Sequence, residues 1–163
     1  MSIAIIGILS TIVIVDFRTA ERRSNLNGAS DSLAQMMRRA QAMALSGQKV
    51  SGATPGGYGV YLQNTVGNNG IYRLYADTDK NNAYTGVSEI TSNGTTNLPS
   101  GVTLQSFVPV SASLDVLFTI PVGTIYINGV QGSTDAQITV SHTALNAQKI
   151  LIISPLSGSI RVQ

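Results

Sequence analysis

The first fifteen residues of the chain, MSIAIIGILSTIVIV, carry no charged side chain. Ser2, Ser10 and Thr11 are the only hydroxylated residues in this run, so a helix through it has no polar face. An ordinary helix on a soluble core shows one polar and one apolar face, and this run does not. Asp16 and Arg18 follow at once, with no proline to end the helix. We therefore predict one continuous helix that is first hydrophobic and then amphipathic.

The apolar run is too short to be assigned by length alone. A membrane-spanning helix needs about 20 apolar residues, whereas runs of about 10–14 are more often core helices or signal-peptide segments. A secretory signal would place basic residues before the run and a small-residue cleavage site after it. Here the basic residues follow the run. A membrane anchor is the favoured interpretation, and a core helix of a soluble domain remains the alternative.

The second half of the predicted helix, residues 16–47, has an apolar stripe with spacings of three and four residues, which is the helical period. Gly47 is positioned to cap its C-terminus. We expect the stripe to pack the helix against the rest of the chain. The division is then a hydrophobic half-helix at 1–15, an amphipathic half-helix at 16–47 and a globular head at 48–163. The stripe residues predicted to contact the head are Leu26, Leu33, Met36, Met37, Ala40 and Met43.

Beyond residue 57 the apolar residues alternate with a period of two, which indicates short strands. No second helix is available for crossovers, so the sheets should be antiparallel. The fold class is predicted as α+β, with the long helix packed on two small sheets or one folded sheet. Turns are predicted at Asn93-Gly94, and at Asn128-Gly129 as a tight hairpin. The predicted strands are 58–62, 70–75, 102–107, 114–120, 123–128, 136–142, 149–154 and 159–162.

The order of residues in the apolar run is specific. Ser2-Ile3-Ala4-Ile5-Ile6-Gly7-Ile8-Leu9-Ser10 resembles the second half of the N-terminal signature of type IV pilins and pseudopilins. The resemblance implies a pilin-like fold whose first half-helix lies in the membrane and then in a filament core. It also implies about eight further residues before Met1, which would bring the run to the length that a bilayer requires. The prepilin-peptidase site and the methylated N-terminus would lie there. The residues assigned to the membrane and filament-core helix are Ile3, Ala4, Ile5, Ile6, Gly7, Ile8, Leu9, Ile12, Val13 and Ile14.

Later segments narrow the resemblance. Residues 33–44 (LAQMMRRAQAMA), 118–123 (FTIPVG) and the ending at 150–161 are similar to parts of GspH/FimT-type minor pilins. The resemblance implies a minor subunit of a type IV pilus or of a type II secretion pseudopilus. Its partners would be other pilin subunits, the inner-membrane assembly platform, the prepilin peptidase and the lipid bilayer. The chain would be a single-pass protein of the inner membrane with its head outside the cytoplasm, later part of a periplasmic or extracellular filament.

Composition and charge agree with an extracytoplasmic β-rich protein. Charged residues make up 11% of the chain, and cysteine is absent, which excludes disulfides and thiol nucleophiles. The net charge of +2 gives no general sign of a nucleic-acid partner. Two alternatives to filament assembly remain open. One is DNA binding by a competence-type pilus subunit through Arg38, Arg39 and Lys49, and the other is a membrane-anchored binding module that does not polymerise.

One segment has the spacing of a metal-binding loop. Asp77, Asp79 and Asn81 alternate as in a calcium loop, and Glu89 follows at position 13, where the EF-hand pattern has its carboxylate at position 12. The EF-hand glycine at position 6 is missing, and Lys80 adds a positive charge. The sequence predicts no cofactor apart from calcium at these four residues. A solvated turn is the alternative, since Asp and Asn are common turn residues.

No catalytic motif is present. His142 is the only histidine, and no Gly-x-Ser-x-Gly sequence accompanies the serines. We therefore predict that the chain is not an enzyme.

Overall fold

The computed structural model of the chain describes residues 2–64 and 70–163, and for residues 2–16 and 92–93 it describes the backbone alone. Within these ranges the chain forms one long helix followed by ten strands, with one turn of 3-10 helix before the third strand. The elements are α1 (Ser2–Leu45), β1 (Gly57–Gln63), β2 (Ile71–Ala76), the 3-10 turn (Val87–Glu89), β3 (Ile90–Asn97), β4 (Val102–Val108), β5 (Ser113–Thr119), β6 (Ile125–Ile127), β7 (Val130–Gln131), β8 (Ala136–His142), β9 (Gln148–Ser154) and β10 (Ser159–Val162).

Helix α1 has 44 residues and ends in a glycine cap. Gly47 takes a left-handed φ of 61°. Its N–H donates to the carbonyl of Ala44, and the N–H of Gln48 donates to the carbonyl of Met43. This pair of hydrogen bonds is the Schellman arrangement, which satisfies the last carbonyls of a helix. The chain then turns back toward β1.

The strands form two antiparallel sheets. The first has six strands in the order β3-β2-β1-β5-β6-β7, and the second has four in the order β10-β9-β8-β4. Helix α1 contacts strands of both sheets. The predicted α+β class, with one N-terminal helix and an antiparallel β-sheet domain, is confirmed.

The core contains side chains from the helix and from both sheets. Alternate residues of each central strand point into it, for example Tyr58, Val60 and Leu62 on β1. From the second sheet, Ile138 and Val140 of β8 join the same cluster. Because the two inner faces and the apolar stripe of α1 are all required to exclude water, the helix is part of the fold of the head.

The segment around Asn93-Gly94 differs from the predicted turn. It lies inside β3, which the sequence did not predict because Ile90 is the only large apolar residue of that strand. β3 is an edge strand and pairs with β2 through the main chain, so it does not need an alternating apolar pattern. Its register shifts between Arg73 and Tyr75.

The end of the first sheet follows the predicted hairpin at Asn128-Gly129. These two residues have φ of 51° and 77°, as a two-residue hairpin requires. They join β6 to β7. The predicted strand at 123–128 is shorter than expected, because Gly123 has a φ of 72° and belongs to the preceding turn.

Candidate functional site

The candidate site lies on the outer face of the first sheet. On β1 and β5 the residues that point away from the core include Gly59 and Asp115. Gly59 is paired with Tyr75 of β2 across the strands. A Cβ atom on Gly59 would lie 2.5 Å from the Tyr75 ring, so only glycine lets that ring lie flat across β1. The ring is thereby directed toward β5.

Tyr75 and Asp115 form the buried base of the site. The Tyr75 hydroxyl donates a hydrogen bond of 2.6 Å to Oδ1 of Asp115, and both residues are buried. Oδ2 of Asp115 accepts a 2.8 Å hydrogen bond from the main-chain N–H of Tyr84. The Tyr84 ring stacks on Tyr61 at 4.3 Å and meets Tyr75 edge-on at 5.3 Å. These contacts hold the segment 77–89 against the sheet.

Asp77 follows β2 directly and organises the first turn of this segment. Its carboxylate accepts hydrogen bonds of 3.1 Å from the N–H groups of Asn81 and Asn82. Its own main chain is paired with the start of β1, through Gly56 and Gly57. The side chain is completely buried. The carboxylate is therefore fixed in position by its neighbours on both sides.

Asp79 and Asn81 form the outer part of the turn. Oδ2 of Asp79 accepts a 2.9 Å hydrogen bond from Nδ2 of Asn81 and a 3.2 Å hydrogen bond from the Thr85 hydroxyl. Oδ1 of Asn81 accepts a 2.8 Å hydrogen bond from the N–H of Ala83. The amide oxygen of Asn81 is thus engaged with the main chain.

Glu89 closes the segment from the other end. It is the last residue of the 3-10 turn that precedes β3 and is only 3% exposed. Its Oε2 accepts a 2.8 Å hydrogen bond from the N–H of Thr85. Its Oε1 is buried and has no hydrogen-bond partner. One carboxylate oxygen of Glu89 lies within 4.8 Å of an oxygen of Asp77 and of Asp79.

Burial raises the pKa of two of these acids, Asp115 and Asp77. Desolvation raises the pKa of Asp115 to about 6, against hydrogen bonds from Tyr75 and Tyr84 that lower it. The nearby charges of Glu89 and Asp77 raise it further. The pKa of Asp77 is also raised, mainly by burial. The pKa of the Tyr75 hydroxyl is raised by burial and by the adjacent Asp115 carboxylate.

The structure brings together three of the four residues predicted as calcium ligands, namely Asp77, Asp79 and Glu89. It places Asn81 beside them, with its amide oxygen bonded to the main chain. Sequence reasoning did not place Asp115 in this group. It lies 38 residues after Asp77 in the chain. The available signal was an acid among the apolar residues of a strand, in the segment SLDVLFT.

The surface between α1 and the head contains the predicted stripe. Leu26, Leu33, Met37 and Ala40 are buried, whereas Met36 and Met43 are partly buried against the core. Polar contacts at the end of the helix reach the β9–β10 hairpin. The guanidinium of Arg38 donates to the Ile160 carbonyl (3.3 Å) and the amide of Gln41 donates to the Gly158 carbonyl (3.0 Å).

The described helix side chains before Leu26 are not buried. From Phe17 to Asn25 each is exposed or half-buried, and Phe17 is 71% exposed. At a rise of 1.5 Å per residue, these nine residues extend the helix about 14 Å beyond Leu26, the first of its described side chains that is buried. The predicted filament-core residues, from Ile3 to Ile14, lie outside the residues whose side chains are described.

In the part of the chain with described side chains, no helix is long and apolar enough to cross a bilayer.

The predicted DNA-contacting residues have different surroundings. Arg39 and Lys49 line a shallow depression beside Tyr58, whereas Arg38 points to the β9–β10 hairpin. His142 is buried on β8, and its Nδ1 accepts a hydrogen bond from the N–H of Ala144.

Comparison with known proteins gives no relative: no protein-family description, no curated protein and no solved structure matches the chain.

Proposed function

We propose that the chain is a pilin-like structural subunit, a minor subunit of a type IV pilus or of a type II secretion pseudopilus. The observation that carries this proposal is the division of α1. From Leu26 onward one face of the helix is buried against both sheets, whereas no described side chain before Leu26 is buried. Together with the uncharged run of residues 1–15, this division favours a helix with two separate roles: building the head, and making contacts outside it.

The physical reason for assembly lies in the apolar half of the helix. An apolar helix without a polar face must be surrounded by lipid or by other apolar helices. In the proposed cycle the apolar half-helix is first inserted in the inner membrane, with the head outside the cytoplasm. Incorporation into a filament then exchanges lipid contacts for contacts with neighbouring helices. Ala4, Gly7 and Ser10 are small residues, which allow helices to approach closely.

Cysteine cross-linking in cells tests this proposal directly, because the chain has no cysteine of its own. Phe17→Cys places a thiol on the exposed part of the helix. We expect mild oxidation to produce covalent dimers of this variant in sheared filaments, because neighbouring helices would bundle there. The measurement is non-reducing gel electrophoresis of the filament and membrane fractions.

A matched control uses Val110→Cys, an apolar residue on a loop of the head that is 95% exposed. We expect it to cross-link much less than Phe17→Cys in the same filaments. Detergent-dispersed Phe17→Cys should remain monomeric. A chain that is found only in membranes, with no helix cross-link, would contradict the filament proposal and favour the non-polymerising binding module.

A further inference from the structure

Glu89 carries a buried carboxyl group that the described protein atoms leave half-satisfied. Its side chain is 97% buried, yet Oε1 has no hydrogen-bond partner. A buried polar atom without a partner costs free energy, and for an ionised carboxylate the cost is larger than for a neutral group. In native structures such an atom calls for an explanation, and an ordered water or a bound ion is one of those explanations. Glu89 therefore points to a ligand at this place.

Glu89 lies among other acidic side chains. Asp77 is completely buried beside it, Asp79 lies at the rim and Asp115 is buried at the base. Lys80, on the same turn, is exposed, and none of the described lysines or arginines forms an ion pair with these carboxylates. Like charges at this spacing repel one another in a desolvated site. A bound cation would reverse this repulsion.

The distances fit one ion. Oxygens of Asp77, Asp79 and Glu89 all lie within 4.8 Å of one another. Two oxygens that each lie about 2.4 Å from a calcium ion are at most about 4.8 Å apart, so every pair of these three oxygens meets the limit for sharing one ion. Magnesium requires bonds of about 2.0–2.1 Å in a strict octahedron and releases water reluctantly. Calcium has longer bonds and a more flexible geometry, so it accepts a wider range of carboxylate spacings than magnesium does.

We propose that the segment 77–89 binds one Ca²⁺ ion through the carboxylates of Asp77, Asp79 and Glu89. Water completes the six to eight oxygen ligands that calcium takes. Asn81 is a positioning residue: its amide donates to Asp79 and its amide oxygen accepts from Ala83, so it shapes the turn. Asp115 acts through Tyr75 and the main chain of Tyr84 to hold the segment on the sheet.

The ion would lock the two ends of the segment together. Asp77 directly follows β2 and Glu89 directly precedes β3, so a shared ion would connect the end of one strand to the start of the edge strand. The segment also covers Tyr61 and Tyr75 through the ring of Tyr84. Calcium binding should therefore stabilise the outer face of the first sheet. This inference does not depend on filament assembly.

The test is a titration of the full-length protein in detergent micelles. Calorimetry with Ca²⁺ should give one site per chain with a Kd at or below ~10⁻³ M. Tb³⁺, a luminescent substitute for Ca²⁺, should emit when tyrosine is excited, because Tyr75 and Tyr84 adjoin the site. Excess Ca²⁺ should quench this emission, and Mg²⁺ at the same concentration should quench it far less.

Two variants assign the ligands. Glu89→Gln and Asp79→Asn should each weaken Ca²⁺ binding by about tenfold or more. Asp79 is exposed, so we expect Asp79→Asn to fold even if Glu89→Gln does not. Glu21→Gln, on the exposed part of the helix, is the matched control and should bind as the parent does. In chelator, the melting temperature of Glu89→Gln should equal or exceed that of the parent, because a neutral amide replaces a buried acidic group beside Asp77 and Asp79.

Three results would overturn the inference: no binding of Ca²⁺ at ~10 mM, equal competition by Mg²⁺, or unchanged affinity in both the Glu89 and Asp79 variants. None of these results affects the cross-linking experiment with Phe17→Cys, so the calcium site and the filament role stand or fall separately.

Discussion

At the scale of single residues, the outer face of the first sheet depends on a glycine, Gly59. Gly59 provides the space in which the Tyr75 ring crosses β1 to reach Asp115. The tyrosine in turn supports Tyr84 and the acidic segment above it. A sequence pattern shows Gly59 only as a glycine in a strand, whereas the structure shows which ring requires it.

Gly59→Ala tests this contact. The new methyl group would collide with the Tyr75 ring, and we expect the free energy of unfolding to fall by about 1–3 kcal/mol, the usual cost of overpacking. Gly28→Ala is the matched control, because a Cβ there meets nothing within 4 Å. In the helix that change should stabilise the protein by up to about 1 kcal/mol. Urea unfolding of both variants measures the difference, and equal effects would contradict the proposed packing.

The acidic residues show how far sequence reasoning reached. The alternating positions of Asp77 and Asp79, with Glu89 later, were enough to predict a shared site, because all three belong to one turn segment. Asp115 was not predictable, because its place beside them depends on β5 pairing with β1 rather than on sequence distance. The engagement of the Asn81 amide oxygen by Ala83 also required the structure.

At the scale of elements, α1 belongs to the fold of the head. Its stripe from Leu26 to Ala44 fills the space above both sheets. Such a helix is recognised from sequence because its apolar residues repeat with a helical period. β3 is the opposite case: its polar sequence has no strand pattern, and only the pairing partner makes it a strand.

Leu33→Ala tests the contribution of the helix to the head. Leu33 is completely buried, and we expect its truncation to lower the free energy of unfolding by about 2–5 kcal/mol, because a cavity forms in the core. Leu45→Ala, at the exposed end of the same helix, should change it by less than about 0.5 kcal/mol. Thermal or urea unfolding checks both. A helix that merely lies on a head that is already stable would give similar small effects.

At the scale of the whole molecule, the fold brings acidic side chains close together, although like charges repel one another. Residues 50–163 contain five acidic side chains, and Asp77, Glu89 and Asp115 are buried close to one another. Arg73 points to the same face as Asp115, two strands away. In the folded chain burial raises the pKa of Asp77 and of Asp115, so these two acids retain protons more strongly than they do in the unfolded chain.

The stability of the calcium-free protein should depend on pH accordingly. Burial raises the pKa of Asp115 from 3.8 to about 6 in the folded state. Between these values the folded chain binds more protons than the unfolded chain, so the free energy of unfolding falls as the pH rises from about 4 to about 6. Asp115 alone contributes about 3 kcal/mol to this change, at about 1.4 kcal/mol per pKa unit.

The measurement is urea unfolding in chelator at pH 4.5 and pH 7, for the parent and for Asp115→Asn. The parent should lose more stability than the variant between these two values, because asparagine does not titrate. A parent and a variant with the same pH dependence would show that Asp115 is not the titrating group.

By itself, the sequence determined the α+β class, the long helix, its buried stripe, the hairpin at Asn128-Gly129 and the identity of the three clustered carboxylates. These features depend on local periods, on residues with special backbone angles and on short spacings, all of which are visible along the chain. Only the tertiary structure decided the edge strand β3, the division into two sheets, the role of Gly59 and the meeting of Asp115 with Tyr75. These depend on which strands pair, and pairing between distant segments is settled by the burial of the whole core rather than by any local pattern.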